Sequence, residues 1–507
     1  MTRPATGGAL PRLNGLRLDT LPAHIRRPAY RPAAHGAGIV HLGLGAFHKA
    51  HQCVYLDELL AHAGGDWRVI GLSCRSPLPR DQLQPQDFLY TLIERDAQGD
   101  RLRVIGALAD VLVAPENPAA AVAVMARPAT QIISVTVTEK GYCRAAADGR
   151  LDLEHPDIAH DLRNPERPRS APGLLTAAMR HRHAQGVAPP TLLCCDNLPR
   201  NGATLHGLLV QMASHAEPRL ADWIERRVAC PSTMVDRIVP AATDEDRQQF
   251  ARSAGVLDEA LVKTEPFRQW VVEDRFSGPR PALEEVGVQL VADVGPYEVA
   301  KLRLLNGSHS ALAYLGLAAG DTFVHEAIAD PALRALIREL MSRELAPTLP
   351  AVPGLDLDAY QNALLGRFAN PSLRHGLRQI AMDGSQKLPQ RLLQPLLERL
   401  RRGERADAIV LVIAAWMHYA LGRAGGGTAY RVDDPLAATF AAIALTADTG
   451  SRSIVAAFLG LRAVFDHELA AHAALRDALA ARLDELAQRG SRATVRAFLT
   501  QRHAGQP

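Results

Sequence analysis

The feature of this 507-residue sequence that most constrains its fold is a change of pattern near residue 290. Before that point, short apolar runs with the character of strands alternate with segments of helical periodicity. Clear apolar runs are residues 38–42, 67–72, 132–137 and 190–195. Beyond it, the pattern is almost wholly helical. The first part predicts a parallel, doubly wound sheet, and the second predicts a mainly α-helical domain.

A chain of this length exceeds one ordinary hydrophobic core, so two large domains are expected. We predict an irregular N-terminal arm over residues 1–37, an α/β domain over 38–290 and a helical domain over 291–507. Residues 88–93 and 102–105 are further predicted strands, and a hairpin is one way of connecting them.

The composition is that of a globular protein, with 47% hydrophobic and 22% charged residues. The formal net charge is +3, without a long run of one sign, which argues against a nucleic-acid or anionic-membrane partner. No segment approaches the roughly 20 apolar residues that span a bilayer, and the N-terminus lacks the apolar core of a signal peptide. The six cysteines form no CxxC pair, so reduced thiols and a cytoplasmic location are expected.

Lysine is rare in this chain. Of 57 Lys plus Arg residues, only five are lysines: Lys49, Lys140, Lys263, Lys301 and Lys387. A partly buried lysine can lose its proton at working pH, whereas arginine cannot. Some of the five are therefore candidates for proton transfer, and chance retention on the surface is the alternative for the others.

A glycine-rich turn follows the first predicted strand. Gly43-Leu-Gly45 then opens a predicted helix, the setting in which glycines let the backbone approach a pyrophosphate. We assign cofactor contacts to Gly43, Gly45, Ala46, Phe47 and His48. Because His48 replaces the third glycine of the full GxGxxG motif, a simple tight turn is an alternative.

The end of the second predicted strand usually carries an acid for the ribose 2′-hydroxyl of NAD. Here the sequence is Ser73-Cys74-Arg75-Ser76, which contains no acid, so this segment does not indicate specificity for NAD. Arg75 is either a partner for the 2′-phosphate of NADP or a solvated loop charge. His48 and His51 have a spacing that permits metal binding, but no third ligand is evident, so we expect no metal.

The segment from Glu298 to His309 combines reactive side chains with poor helix formers. At about 100° per residue, Glu298, Lys301, Asn306 and His309 fall within an arc of roughly 140° on one helix. Asn, Gly and Ser are unfavourable inside helices, so helix stability does not explain them; capping or core hydrogen bonds are the alternative. A desolvated lysine can donate the proton that carbonyl reduction requires, and amides can stabilise the developing oxyanion.

A second amide group follows the buried run at residues 190–195. Asn197 lies at the carboxyl end of that predicted strand, where open α/β sheets bind ligands. A local turn made by Asp196 or Asn201 is the competing interpretation.

Several segments together resemble one family. They are GLGAFHKAH, TVTEKGY, CDNLPRNG, STMVDRIVP, EPFRQWVVEDRF, KLRLLNGSHS and MDGSQKLPQR. In combination they look like the polyol-specific long-chain mannitol dehydrogenases. Within that family, the segments TEKGYC, TMVDRIVPAAT and QIAMDGSQKLPQRLL are most similar to the fructuronate reductase (D-mannonate oxidoreductase) subgroup.

The resemblance implies a Rossmann-type N-terminal domain, a helical C-terminal domain, a metal-independent reaction and NAD as cofactor, with NADP left open. It implies that Lys301 is the general acid/base, that Asn197 and Asn306 polarise the substrate carbonyl, and that His309 orients the substrate. Glu298 would relay protons. It also implies that Asp236 and Lys387 contact the substrate, and we assign Arg378 and Gln379 to the same substrate site.

Gln379 departs from the mannitol dehydrogenase pattern, which has a substrate-binding arginine at this position. With the basic residues Arg374, Arg378 and Lys387 nearby, it favours a keto-sugar acid, interconverted with an aldonate, over mannitol. The expected substrate pair is D-fructuronate and D-mannonate.

Two alternatives remain from the sequence. The first is a mannitol, arabinitol or other polyol dehydrogenase of the same family. The second is a non-catalytic NAD(P)-binding sensor, against which the joint presence of Lys301, Asn197, Asn306 and His309 argues. The oligomeric state is left open.

Overall fold

The computed structural model describes residues 10–145, 148–422, 430–445 and 450–504. The chain divides into two compact units, Met1–Gly295 and Pro296–Pro507, called unit 1 and unit 2 below. Unit 1 contains the sheets, and unit 2 is mainly helical in its described residues. The predicted fold class is confirmed: a Rossmann-type α/β domain precedes a mainly helical domain.

The strands of unit 1 are short. They are β1 (Ile25–Arg26), β2 (Ile39–Leu42), β3 (Val69–Ser73), β4 (Tyr90–Asp96), β5 (Gly99–Ile105), β6 (Leu108–Val113), β7 (Ile132–Val135), β8 (Thr191–Cys194), β9 (Thr233–Asp236), β10 (Val262–Thr264), β11 (Gln269–Glu273) and β12 (Gln289–Val291).

The central sheet has five strands in the order β6-β3-β2-β7-β8, and all its neighbours pair in parallel. Every residue of β2, β3, β7 and β8 is buried, as expected of parallel strands covered by helices on both faces. The chain moves outward in one direction through β3 and β6, and in the other through β7 and β8. The order therefore reverses at β2, and open α/β sheets bind ligands at the carboxyl ends of the strands at such a point.

Two smaller sheets complete unit 1. One has the order β1-β5-β4-β10, in which β4 and β5 form the hairpin that the sequence left as one possibility. The other has the order β12-β11-β9. Residues 10–37, predicted as part of an irregular arm, contain the 3₁₀ helices Gly15–Thr20 and Pro32–Ala34 as well as β1, which pairs with β5.

The helices of unit 1 are α1 (Ala46–Ala50), α2 (Gln52–His62), α3 (Leu78–Leu83), α4 (Pro118–Ala126), α5 (Pro156–Arg163), α6 (Ala171–Ala184), α7 (Asn201–Ser214), α8 (Pro218–Arg227) and α9 (Asp244–Ala254). Further 3₁₀ turns are Gln84–Gln86, Glu139–Tyr142 and Leu283–Val286. Helix α10 (Gly295–Ala300) begins at the last residue of unit 1, and its other residues belong to unit 2.

The α-helices of unit 2 are α11 (Gly307–Ala319), α12 (Val324–Ala329), α13 (Pro331–Glu339), α14 (Leu357–Phe368), α15 (Leu377–Ala381), α16 (Gly384–Leu388), α17 (Gln394–Arg401), α18 (Asp407–Ala420), α19 (Ala437–Leu445), α20 (Ser451–Leu459), α21 (His467–Ala471) and α22 (Ala473–Ala504), which bends at Gly490. Three π-helical segments, Lys301–Asn306, Leu340–Leu345 and Pro389–Leu393, and the 3₁₀ turn Ala346–Thr348 interrupt them.

Helix α18 forms the centre of unit 2. Nearly all its residues are buried, including Trp416, and it packs against α11 and α22. A helix that is apolar all round is a core helix of a large domain or a membrane span. Among the residues that the structure describes, no helix has the length and apolar character needed to cross a membrane.

Candidate functional site

The turn after β2 is a cradle that requires glycine at its first position. Gly43 has a φ of 96°, and a Cβ atom there would collide with the backbone oxygen of Thr136 at the end of β7. The N–H groups of Gly43 and Leu44 both donate to the carbonyl of Leu72 in β3. The glycine therefore lets the chain turn away after β2 while it stays hydrogen-bonded to β3 and packed closely against the end of β7.

A cavity of about 520 Å³ opens at the carboxyl ends of β2, β3 and β7. Its lining includes Gly43, Leu44, Ser73, Cys74, Arg75, Ser76, Thr136, Val137, Thr138, Lys140, Gly141, Cys143, His155, Asp157, Arg169, Ser170 and Ala171. Arginine and lysine side chains outnumber the single carboxylate, Asp157, among these residues. A glycine cradle at the switch point with a basic lining fits the diphosphate of a dinucleotide.

The four other predicted cofactor residues lie in and before α1. Gly45 and Ala46 are exposed, and a Cβ atom at Gly45 would have the oxygen of Gly43, at 3.8 Å, as its nearest neighbour. The backbone here is thus open to a ligand. The ring of Phe47 stacks on that of His51, with centroids 5.1 Å apart.

The side chain of His48 lies in the interior of unit 1, not in this cavity. Its ring stacks on that of His41, with centroids 3.4 Å apart, and its Nδ1 pairs with Oε1 of Gln52 at 3.2 Å. Burial lowers the pKa of His48 and of His51 to about 3, so both rings are neutral. A cofactor contact at His48 would therefore be made by its backbone.

Two predicted substrate residues, Asn197 and Asp236, lie at the carboxyl ends of β8 and β9. Asn197 is exposed just beyond the carboxyl end of β8, where the sequence placed it. The side chain of its neighbour Asp196 accepts hydrogen bonds from the N–H groups of Val137 and Thr138, which are distant contacts that tie the end of β8 to the end of β7 and do not form a local turn. Asp236 is the last residue of β9, and 4% of its surface is exposed.

The segment with Lys301 departs from the regular α-helix that the sequence predicted. Residues 301–306 are π-helical, between α10 and α11, so the uniform rotation of 100° per residue does not hold across them. The side chain of Arg391 donates to the carbonyl oxygen of Asn306 at 3.4 Å, and a side chain entering the ladder is one cause of such a disruption. π-Helical turns are often found at functional sites.

Within this segment, Lys301 and His309 are 8% and 7% exposed, and Glu298 and Asn306 are partly buried. The Lys301 residue is therefore largely removed from solvent. Among the other lysines, Lys49 donates to the carbonyl of Ala260, and Lys263 pairs with Asp246 at 2.6 Å.

His309 lies among aromatic and basic groups that the sequence did not identify. Its ring centroid is 4.8 Å from that of Phe368 and 5.2 Å from that of His375. Burial lowers the pKa of His309 well below its usual value, and the positive charges of Arg367 and Arg391 act in the same direction. The ring is neutral, and its buried Nε2 makes no hydrogen bond within the described protein, so it can bind a substrate hydroxyl.

The remaining predicted substrate residues lie on and near α15 and α16. Lys387 is partly buried and donates to the carbonyl of Met382 at 2.6 Å. Gln379 is exposed. Arg378 lies 5.7 Å from the ring centroid of Tyr430, and Arg374 lies 4.8 Å from that of Phe323.

No group of three or more His, Cys, Asp or Glu side chains could hold a metal ion in the part of the chain that the structure describes. The catalytic residues that the sequence predicts in unit 2, Glu298, Lys301, Asn306 and His309, offer a carboxylate, an amine, an amide and a neutral imidazole. Such a set can transfer protons and bind hydroxyl groups.

Comparison with known proteins places both units in one family. The Mannitol dehydrogenase Rossmann domain matches residues 37–285, and the Mannitol dehydrogenase C-terminal domain matches residues 293–487. The chain belongs to the mannitol dehydrogenase family. It is accordingly an oxidoreductase of the dehydrogenase type that acts on CH–OH groups.

Among relatives of this mannitol dehydrogenase family member, the D-mannonate oxidoreductase of Escherichia coli (strain K12) is 44% identical over 94% of this chain and 98% of its own length. A mannitol 2-dehydrogenase of Pyrenophora tritici-repentis is also 44% identical, over 86% of this chain and 78% of its own. A solved structure of Pseudomonas fluorescens mannitol 2-dehydrogenase, in a ternary complex with NAD and D-mannitol, has a TM-score of 0.86 and 36% identity, covering 96% and 99% of the two chains.

Proposed function

We propose that this protein is a cytoplasmic, NAD-dependent oxidoreductase that interconverts a keto-sugar acid and an aldonate, D-fructuronate and D-mannonate. The observation that carries the proposal is the similarity to a D-mannonate oxidoreductase along almost the full length of both chains. The glycine cradle at Gly43 and the basic cavity beside it support a dinucleotide cofactor. When bound, that cofactor supplies or accepts a hydride at the substrate carbon.

The role of Lys301 in this proposal is to move the proton that accompanies the change between carbonyl and alcohol. Lysine can lose and regain a proton in such a step, whereas arginine cannot, and Lys301 is largely buried. Glu298, three residues earlier and partly buried, would pass protons between Lys301 and solvent.

The amides of Asn306 and Asn197 are assigned to the substrate oxygen. Their N–H groups would stabilise the negative charge that develops on it during reduction. His309 would bind a neighbouring hydroxyl through Nε2, because a neutral ring can donate or accept without adding a charge. We assign Asp236 to accept a hydrogen bond from a substrate hydroxyl.

The carboxylate of a sugar acid needs a cationic partner, and hydrogen bonds to charged groups contribute about 1.5–3 kcal/mol. Lys387, Arg378 and Arg374 are the candidates, with Gln379 in the same region. Lys387 is the strongest candidate because it is partly buried and held by Met382. The arginines lie over aromatic rings, which holds their guanidinium groups in place.

A second candidate is a polyol 2-dehydrogenase that interconverts mannitol and fructose. It is favoured by the mannitol 2-dehydrogenases among the relatives and by the mannitol complex among the solved structures. The two candidates differ in one substrate group, because a uronate carries a carboxylate and a ketose does not.

The test measures kcat/KM for NADH-dependent reduction of fructuronate and of fructose by the full-length enzyme. We expect at least about a tenfold preference for fructuronate, since about 1.4 kcal/mol corresponds to a factor of ten. Lys387→Gln should reduce that preference, and Arg219→Gln, at an exposed position on α8, is the matched control. Equal or greater efficiency with fructose would establish the polyol candidate instead.

A further inference from the structure

The end of β3 has a charge that is unusual for the ribose subsite of an NAD enzyme. Arg75 and Ser76 follow β3 and line the cofactor cavity. An acid at the end of this strand binds the ribose 2′-hydroxyl in NAD enzymes, whereas an arginine nearby accommodates the 2′-phosphate of NADP. The five-strand order places β3 directly beside β2, so this edge is the position to which that rule applies.

Arg75 is an exposed arginine in the lining of the cofactor cavity. The side chain is exposed, and in the described parts of the chain no carboxylate forms an ion pair with it. The first acid after β3 is Asp81, and Arg80 engages it at 2.9 Å while also pairing with Glu116. The next positively charged side chain along the chain, Arg80 in α3, thus has carboxylate partners in the protein.

The neighbours of Arg75 add no negative charge. Burial raises the pKa of the Cys74 thiol to about 11, so it is protonated at neutral pH. Ser73 donates its hydroxyl to the carbonyl of Ser76 at 2.6 Å, and the hydroxyl of Ser76 accepts from the N–H of Leu78 at 3.1 Å. These bonds fix the turn that presents Arg75 and Ser76 to the cavity.

We propose that Arg75 and Ser76 form a binding site for the 2′-phosphate of the adenosine ribose, so that the protein uses NADP(H) as well as NAD(H). The guanidinium group pairs with the phosphate oxygens, and the Ser76 hydroxyl donates to one of them. With NAD the same residues face a neutral hydroxyl and bind it without repulsion. The proposal rests on the proposed dinucleotide-dependent function and assigns the specificity of its cofactor site.

The chemistry that identifies this ligand is a phosphate on the 2′ position of adenosine. A guanidinium that only stacked on the adenine ring would not distinguish the position of the second phosphate. Three probes therefore distinguish phosphate recognition by Arg75 from stacking on adenine, and none of them requires turnover. They are adenosine 2′,5′-bisphosphate, adenosine 3′,5′-bisphosphate and adenosine 5′-monophosphate.

The experiment measures dissociation constants by calorimetry for the full chain and for three variants. Arg75→Ala removes the charge, Arg75→Asp introduces the acid of an NAD site, and Arg219→Ala removes an exposed arginine far along the sequence on α8. In the wild type, we expect NADP⁺ to bind within about tenfold of NAD⁺ and the 2′,5′-bisphosphate to bind at least about tenfold more tightly than the monophosphate.

Arg75→Ala should weaken NADP⁺ and the 2′,5′-bisphosphate at least about tenfold and change NAD⁺ by less than about threefold. Arg75→Asp should weaken NADP⁺ further through charge repulsion, and Arg219→Ala should match the wild type. The proposal is overturned if NADP⁺ binds the wild type more than about tenfold more weakly than NAD⁺. It is also overturned if Arg75→Ala weakens both dinucleotides equally, or if the two bisphosphates bind alike.

These outcomes are independent of the proposed reaction. Failure of fructuronate and fructose to turn over, together with selective binding of the 2′-phosphate, would reject the catalytic proposal and leave the subsite in place. Turnover with NADH, together with weak binding of NADP⁺, would support the catalytic proposal and reject the 2′-phosphate subsite.

Discussion

Acid is expected to destabilise unit 1 through the buried histidines behind its glycine cradle. His48 and His51 have a pKa of about 3 in the folded protein, compared with about 6.5 in an unfolded chain. Burial is the main cause for both, and Arg237 and Arg268 also disfavour a charge on His51. Because the folded pKa is depressed, the native state binds fewer protons than the unfolded state. The free energy of unfolding therefore falls as the pH drops below about 6.5.

The size of the effect follows from the two pKa values. At about pH 5, an unfolded histidine is about 1.5 units below its pKa, while the folded ring is still neutral. At about 1.4 kcal/mol per unit, each histidine destabilises the fold by about 2 kcal/mol relative to about pH 7.5, and the pair by about 4 kcal/mol. Burial lowers the pKa of His41, which stacks on His48, in the same direction.

The assay is urea-induced unfolding at about pH 7.5 and about pH 5, for the wild type and for His51→Gln. The glutamine amide can still donate to the carbonyl of Gln269, which His51 engages at 2.8 Å, but it does not titrate. The variant should lose about 2 kcal/mol less than the wild type on acidification. His215→Gln, at an exposed position, is the control. An identical pH dependence in His51→Gln and the wild type would refute this account.

Three further predictions concern the reaction. Lys301→Arg should lower kcat/KM about as much as Lys301→Ala, by about 10²–10⁴-fold, because arginine keeps the charge but does not deprotonate; a largely active Lys301→Arg enzyme would reduce Lys301 to a positioning charge. Asn306→Ala and Asn197→Ala should each lower kcat by about 10²–10³-fold with the dissociation constant for NADH nearly unchanged, and a change mainly in that constant would reassign the residue to the cofactor site. Exhaustive chelation should leave the initial rate unchanged, whereas loss of activity that zinc restores would contradict a metal-independent reaction.

The central sheet was largely predictable because its strands are unbroken apolar runs. β2, β7 and β8 match the predicted runs to within two residues at either end. β6 was not predicted, since Asp110 interrupts its apolar pattern and a register shift occurs where it pairs with β3. The sheet of β9, β11 and β12 was missed as well, because it depends on pairing between segments far apart in the chain.

The candidate site was predictable only where local chemistry determines it. Gly43 is such a case, because no other residue fits its backbone conformation. The burial of His48 was not predictable, because the sequence of a five-residue helix does not tell which side of the helix faces the interior. His375 and Arg391 reach His309 or its helix from positions more than 60 residues away, and a sequence motif contains no sign of such contacts.

The π-helical turn makes chain length, as well as residue identity, a determinant of the reactive groups in unit 2. A π turn is equivalent to an α-helix that has accommodated one inserted residue. Deleting a single residue within 301–306, for example Leu302, would allow a continuous α-helix to form. His309 would then rotate relative to Lys301 by one helical position, although neither residue had been replaced. A family of such enzymes can therefore gain or lose this arrangement through a one-codon insertion or deletion.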